Sequence, residues 1–164
     1  MDDAPRASPS ASAPLKECPQ KRLESGSMKP DHGTYALILQ SHSTGTIPVG
    51  RWGGLDLQLG YYIYVGSAFG PGGVRARISR HLRTDKRKHW HIDYLREHVM
   101  PLEAWVSYAA EQLEHKWAEI LFETPRITPI QGFGCSDCKC DSHLFFTMDT
   151  PESHWLGGVD KSIV

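Results

Sequence analysis

The chain has no asparagine, no apolar run approaching the ~18 residues of a membrane-spanning helix, and no cysteine spacing suited to a disulfide framework. The missing apolar run excludes a helical membrane span, so no membrane partner is expected. The N-terminus also lacks the apolar stretch of a secretory signal, and secretion is not expected. Of the four cysteines, Cys135, Cys138 and Cys140 fall within six residues, with Cys18 far upstream. That grouping fits a reduced thiol cluster or a metal site in a cytoplasmic protein. Excess charge is lacking too. A net charge of −1 over 164 residues argues against a bulk nucleic-acid coat. Residues 1–32 have almost no large apolar side chains and are rich in Pro, Ser and Ala, so a disordered N-terminal tail is expected there. The folded domain is expected over 33–149. Residues 150–164 read as a C-terminal tail, with Trp155 docking back.

What is present is unevenly placed. Seven of the eighteen Lys and Arg lie between Arg75 and Lys88, with Asp85 as the single acid among them. Such a run is either a solvated face or a phosphate-facing patch. Ahead of it come two tyrosine-bearing segments. Thr34–Gln40 predicts a strand with Tyr35, Leu37 and Leu39 on one face, and Tyr61–Val65 predicts another, rich in aromatic and β-branched residues. Thr46–Val49 and the alternating stretch after Trp52-Gly53-Gly54 suggest further strands. Gly70-Pro71-Gly72-Gly73 breaks the strand pattern and opens a helix over Val74–Arg83. There Val74, Ile78 and Leu82 form an apolar stripe, with Arg77 and His81 one turn apart on its flank. A helix over Trp90–His98 and a strand over Leu102–Tyr108 follow, the strand with Ala104, Val106 and Tyr108 opposite Trp105. A third helix over Ala110–Glu123 has Leu113, Trp117, Ile120 and Leu121 as its buried stripe. Glu114 sits at that stripe's margin, whereas Glu111, Glu119 and Glu123 point away.

These residue types suit phosphodiester chemistry. Cutting such a bond needs an activated water, a cation for the developing charge and help for the leaving oxygen. Arg77 can clamp a phosphate through two N–H groups. Tyr35 can accept a proton from the attacking water, directly or by relay, but with a pKa of ~10 it is a poor base at neutral pH unless Arg or metal lowers that value. Tyr64 can orient the water or the phosphate. One carboxylate with phosphate oxygens and waters can hold Mg²⁺, which keeps several waters.

Gly33-Thr34-Tyr35, Tyr64-Val65-Gly66-Ser67-Ala68 and the Arg77…Arg80-His81 helix resemble the core of the GIY-YIG endonuclease superfamily. Gly70-Pro71-Gly72-Gly73, Lys88-His89-Trp90-His91-Ile92-Asp93-Tyr94-Leu95 and Phe133-Gly134-Cys135-Ser136-Asp137-Cys138-Lys139-Cys140 resemble one branch of small, mostly stand-alone proteins long classed as a domain of unknown function. Some archaeal relatives in that branch are joined to DNA-repair glycosylases. The resemblance covers about residues 33–147. It implies an α+β fold, a small, mostly antiparallel sheet flanked by helices, and divalent-metal-dependent cleavage of DNA, in repair or processing. By motif position it implies Tyr35, Tyr64, Arg77 and His81 as catalytic residues and Glu114 as the ligand of Mg²⁺ or Mn²⁺, with Glu111 as a fallback. Nucleic-acid contacts are then expected from Arg80, Arg83, Lys86, Lys88, His89 and His91. Two departures stand out. Thr34 replaces Ile in the first motif, both being β-branched strand formers. Many members use an asparagine late in the domain, where this chain offers Ser136 or Asp137.

Cys135, Cys138, Cys140 and His143 make a compact set for a structural Zn²⁺. The alternatives are a polar turn with Asp137 and His143 facing the cleft, or thiols packed as small apolar groups. Trp90 reads either as core or as a base-stacking platform, and Asp93 as a partner of Arg96 or Arg87. Three functional readings remain: a metal-dependent endonuclease, a non-catalytic nucleic-acid-binding domain of the same fold, and a small zinc-stabilised interaction module.

Overall fold

The computed structural model describes residues 28–164; residues 1–27, with Cys18 and most of the expected N-terminal tail, lie outside the described residues. The chain runs β1 (Gly33–Ser41), β2 (Gly45–Val49), β3 (Gly53–Leu57), β4 (Gly60–Ala68), α1 (Gly73–Leu82), α2 (His91–Leu95), β5 (Met100–Ser107), α3 (Glu114–Glu123), β6 (Thr128–Pro129), β7 (Leu144–Thr147), a 3-10 turn (Ser153–Leu156) and β8 (Asp160–Ile163). Six strands form one sheet in the order β6-β7-β4-β1-β5-β8, and β2 and β3 form a separate two-stranded ribbon. All strand pairings among the described residues are antiparallel. The expected α+β class, with a mostly antiparallel sheet and a few helices, is what the chain adopts.

β1 is central and covered on both faces, which explains its continuous apolar sequence. Tyr35, Leu37 and Leu39 point to the layer made by α1, α2 and the β2–β3 ribbon, where Val74, Ile78, Ile92, Leu95, Val49 and Leu55 pack. Ala36 and Ile38 point to the opposite layer, with Trp117, Ala118 and Leu121 of α3 and the sheet residue Trp105. The alternation read for β5 holds, since Ala104 and Val106 join the first layer and Trp105 the second.

Several boundaries move. Residues 150–164 are not a loose tail: β8 pairs with β5 and Leu156 is buried in the second layer. The ordered unit also starts before Gly33. Met28 is buried, and the carbonyls of Lys29 and Asp31 accept hydrogen bonds from the Arg75 and Val74 N–H groups of α1. Gly73 allows this approach, with φ at 57° and its Cα pressed against the Pro30 and Asp31 carbonyls, where a Cβ would collide. The second helix is only five residues long. Arg96 follows it and is drawn inward, donating to the His81 and Val99 carbonyls at 3.0 and 2.6 Å. α3 begins at Glu114 rather than Ala110, so Glu111 is an exposed loop residue. Among the described residues no helix is long and apolar enough to cross a membrane.

Candidate functional site

The first motif places Tyr35 on β1 opposite Gly66 of β4. A Cβ at position 66 would collide with the Tyr35 hydroxyl, so glycine there lets the ring lie across the β4 backbone. α1 packs on the same sheet face and delivers His81, whose Nε2 lies 2.7 Å from the Tyr35 hydroxyl. Tyr64 on β4 presents its ring edge-on to His81, with centroids 5.7 Å apart. Thr34 is more than a β-branched strand residue. Its buried hydroxyl accepts the Leu113 N–H at 3.0 Å and so pins the start of α3, and with it Glu114, beside the first-motif tyrosine.

Arg77, half-buried on α1, lies close enough for its charge to act on Tyr35, Tyr64, His81 and Glu114 together. Its guanidinium lies 4.7 Å from the Trp90 ring centroid, and that of Arg80 lies 4.0 Å from the same ring. Trp90 is therefore the platform on which Arg77 rests. Arg77 forms no ion pair among the described residues, which leaves its paired donors free for a ligand. Glu114 Oε1 is 3.5 Å from His143 Nδ1. Burial raises the Glu114 carboxyl, while the charges of His115 and Arg77 pull it back down.

Arg77 does not bring the Tyr35 phenol below its ordinary range. Burial raises Tyr35 well above the ordinary phenol range, and the neighbouring Tyr64 adds to it; the lowering by Arg77 is smaller. Tyr64 is also raised, first by burial and then by Glu114. Both phenols are neutral. Burial and the charge of Lys86 push His81 down to about 3, so it too is neutral at pH 7. Its Nδ1 is buried without a hydrogen-bond partner.

A pH dependence follows. His81 charges near pH ~6.5 in the unfolded chain and only at about 3 in the folded one. Between those values the unfolded state binds more protons, so stability falls as pH drops. From pH 6.5 to 4.5 the loss is about 2–3 kcal/mol. Urea unfolding of His81→Gln, which cannot titrate, should show a flatter profile over this window. His91 and His143, also lowered by burial, leave a residual slope. An unchanged profile would contradict the assignment.

The basic run is less open than the sequence implies. Asp93, fully buried, accepts from Arg80 at 3.2 Å and from Lys86 at 2.8 Å, and takes the His89 and Trp90 N–H groups. Burial alone would raise its carboxyl, but Lys86, the two backbone donors and Arg80 together hold it below the usual range. Arg80 and Lys86 thus serve the fold rather than an open phosphate face, and the partners expected for Asp93, Arg96 and Arg87, are not its partners. A charge count cannot show that a buried acid sits beneath the run. His91 accepts the Gly134 N–H at Nδ1, 3.2 Å away, with its ring against Phe133. Lys88 pairs with Glu97 at 2.8 Å, still partly exposed. Arg83 and His89 are exposed, as are Arg75 and Arg87.

The cysteine cluster also rearranges. Cys138 Sγ lies 3.0 Å from His143 Nε2, and Cys140 Sγ lies 2.9 Å from His115 Nδ1. Donor atoms of His115, Cys138, Cys140 and His143 all fall within 4.8 Å of one another. His115 takes the place expected for Cys135, whose thiol points to the Phe133 carbonyl at 3.5 Å. Burial and neighbouring Cys138 push the Cys135 thiol up to about 12, and similarly Cys140 to about 11. His115 was not legible as a partner. It lies 25 residues from Cys140, and its one local signal is adjacency to Glu114. Asp137 and Ser136 are exposed, whereas His143 turns inward to Glu114. A cleft of about 620 Å³ between α3 and the 138–142 segment is lined by His115, Phe122, Cys138 and Cys140 and by none of Tyr35, Tyr64, Arg77 or His81. It is a different surface from the tyrosine–arginine site.

No curated protein and no solved structure matches the chain. One family model does match, over residues 34–156, spanning both tyrosine motifs, Arg77, Glu114 and the cysteine segment. The chain belongs to the family described as domain of unknown function DUF123.

Proposed function

We propose that the cleft bounded by β1, β4, α1 and the start of α3 hydrolyses phosphodiester bonds in DNA with a divalent cation, as the resemblance to GIY-YIG endonucleases implies. One observation carries the reading: a buried and a half-buried phenol, a guanidinium with no ion pair among the described residues and a carboxylate come together from four elements, with His81 fastened to the buried phenol. Arg77, braced on Trp90, binds two phosphate oxygens and stabilises charge that grows as the bond breaks. Tyr35 is oriented by His81. A phosphodiester anion entering beside Arg77 raises the proton affinity of His81. The phenol can then take a proton from water at its oxygen while passing its own to Nε2. Tyr64 closes the other side of the cleft.

Glu114 fits the cation requirement minimally, with one carboxylate oxygen toward His143 and the other unbonded among the described residues. Mg²⁺ or Mn²⁺ held there would neutralise phosphate charge, with substrate oxygens and waters completing its shell. The absence of asparagine favours one rival, a non-catalytic nucleic-acid-binding domain. Incubating the pure protein with linear, nicked and branched DNA and with RNA, in Mg²⁺ or Mn²⁺ against chelator, separates the two. Cleavage is expected with metal alone. Glu114→Gln should lower it about 10²-fold or more with an unchanged far-ultraviolet circular dichroism spectrum. Binding without cleavage of any substrate by the unaltered protein would establish the rival. Full activity of Glu114→Gln would remove Glu114 from the site.

A further inference from the structure

We propose that His115, Cys138, Cys140 and His143 hold a structural Zn²⁺, and that this ion sets the orientation of Glu114 through His143. The donor set is the first support. Two thiols and two imidazoles are the ligands zinc prefers, and their donor atoms lie within 4.8 Å of one another, in two S···N pairs at 3.0 and 2.9 Å. Tetrahedral zinc, from its bond lengths to sulfur and nitrogen, separates neighbouring ligand atoms by about 3.3–3.8 Å. The set needs only small side-chain adjustments to close on an ion.

The second support is independent of spacing. His143 is buried, and its Nδ1 has no hydrogen-bond partner although Glu114 Oε1 stands 3.5 Å away. A buried polar atom left over in this way asks for an explanation. Its other ring nitrogen, Nε2, faces Cys138. With Nε2 bound to zinc, the ring proton must reside on Nδ1 and point at the Glu114 carboxylate. That is the carboxylate–histidine–metal arrangement that commonly orients ligating histidines. A single ion thus accounts for both nitrogens of His143.

The third support is mechanical. The segment between Phe133 and Leu144 has little regular structure, and its three cysteines are free thiols. His115 belongs to α3, whereas the other three donors belong to this segment. An ion would tie the segment to the helix that carries Glu114. Four protein ligands leave no open position, which is the signature of a structural rather than a hydrolytic zinc.

The proposal does not depend on the nuclease reading, and its test reads metal rather than cleavage. Full-length protein purified from zinc-supplemented cells should contain one zinc per chain. Removal of that zinc and titration with Co²⁺ should produce thiolate-to-cobalt charge transfer and the intense visible bands of a tetrahedral site. His115→Ala, a change at an exposed position, and Cys140→Ser should each lose the stoichiometric metal, while Cys135→Ser keeps it. Glu114→Gln should weaken zinc affinity about 10–100-fold. Absence of zinc together with no tetrahedral cobalt spectrum overturns the proposal. So does one zinc per chain that survives His115→Ala and is lost in Cys135→Ser.

Discussion

Arg77→Ala should lower the rate of DNA cleavage about 10²–10³-fold while leaving DNA affinity within about threefold. The division follows from where the positive charges stand. Arg77 is half-buried beside the tyrosines, without an ion pair among the described residues and stacked on Trp90, so its donors would meet a phosphate in fixed geometry. General attraction to a nucleic-acid backbone would come instead from the exposed Arg75, Arg83 and Arg87 and the partly exposed Lys88. Single-turnover cleavage and filter binding, run in the same buffer, measure the two quantities. Equal losses in both would show that Arg77 is simply one more backbone contact. Arg77→Lys is informative beside it, because a point charge retains attraction but not the planar pair of donors.

Asp93→Ala should destabilise the fold by about 3–5 kcal/mol in urea unfolding, the cost of leaving buried cations without their partner. Its carboxylate is fully inaccessible and gathers Lys86, Arg80 and two backbone N–H groups at the start of α2. Because the folded-state value lies below the usual carboxylate range, the stabilisation is complete above about pH 4 and is lost as pH falls further. This window lies below the one assigned to His81. A loss of under about 1 kcal/mol would mean that Lys86 and Arg80 find other partners at little cost. The same substitution should loosen Trp90, since Asp93 holds its backbone N–H and anchors the Arg80 that stacks on its ring.

The residues legible in the sequence share one property: their signal is local. Alternation along β1 and β5 set which face each side chain takes, and the 3.6-residue period of α1 put Arg77 and His81 beside its apolar stripe. The parts that were not legible depend on distant partners. β8 is a short, mostly polar strand that exists because the β5 edge is there to pair with it. The helix content assigned to Ala110–Leu113 gives way to a loop because Thr34, 79 residues upstream, takes the Leu113 N–H. Asp93 looked like an ordinary helix acid, and only the fold brings Arg80 and Lys86 over it. His115 joins the cysteines because α3 packs beside the 138–142 segment, a juxtaposition that no spacing rule encodes. The pKa values of the tyrosines were unreadable for a similar reason. The neighbouring arginine was visible in the motif, but the depth of burial that outweighs it was not.

The glycine-rich turn ahead of α1 has the look of a backbone cradle for phosphate, but the first three amides of the helix it opens are already taken. Gly73 N–H goes to the Gly70 carbonyl, Val74 to Asp31, Arg75 to Lys29 and Ala76 to Gly72, at 2.9–3.3 Å. The Gly73, Val74 and Arg75 donors, which a helix start ordinarily presents to an anion, are thus spent inside the protein. A phosphate bound beside Arg77 would then be read by side chains rather than by this helix start, and the guanidinium fork would favour a group with two free oxygens in one plane over a spherical anion of equal charge.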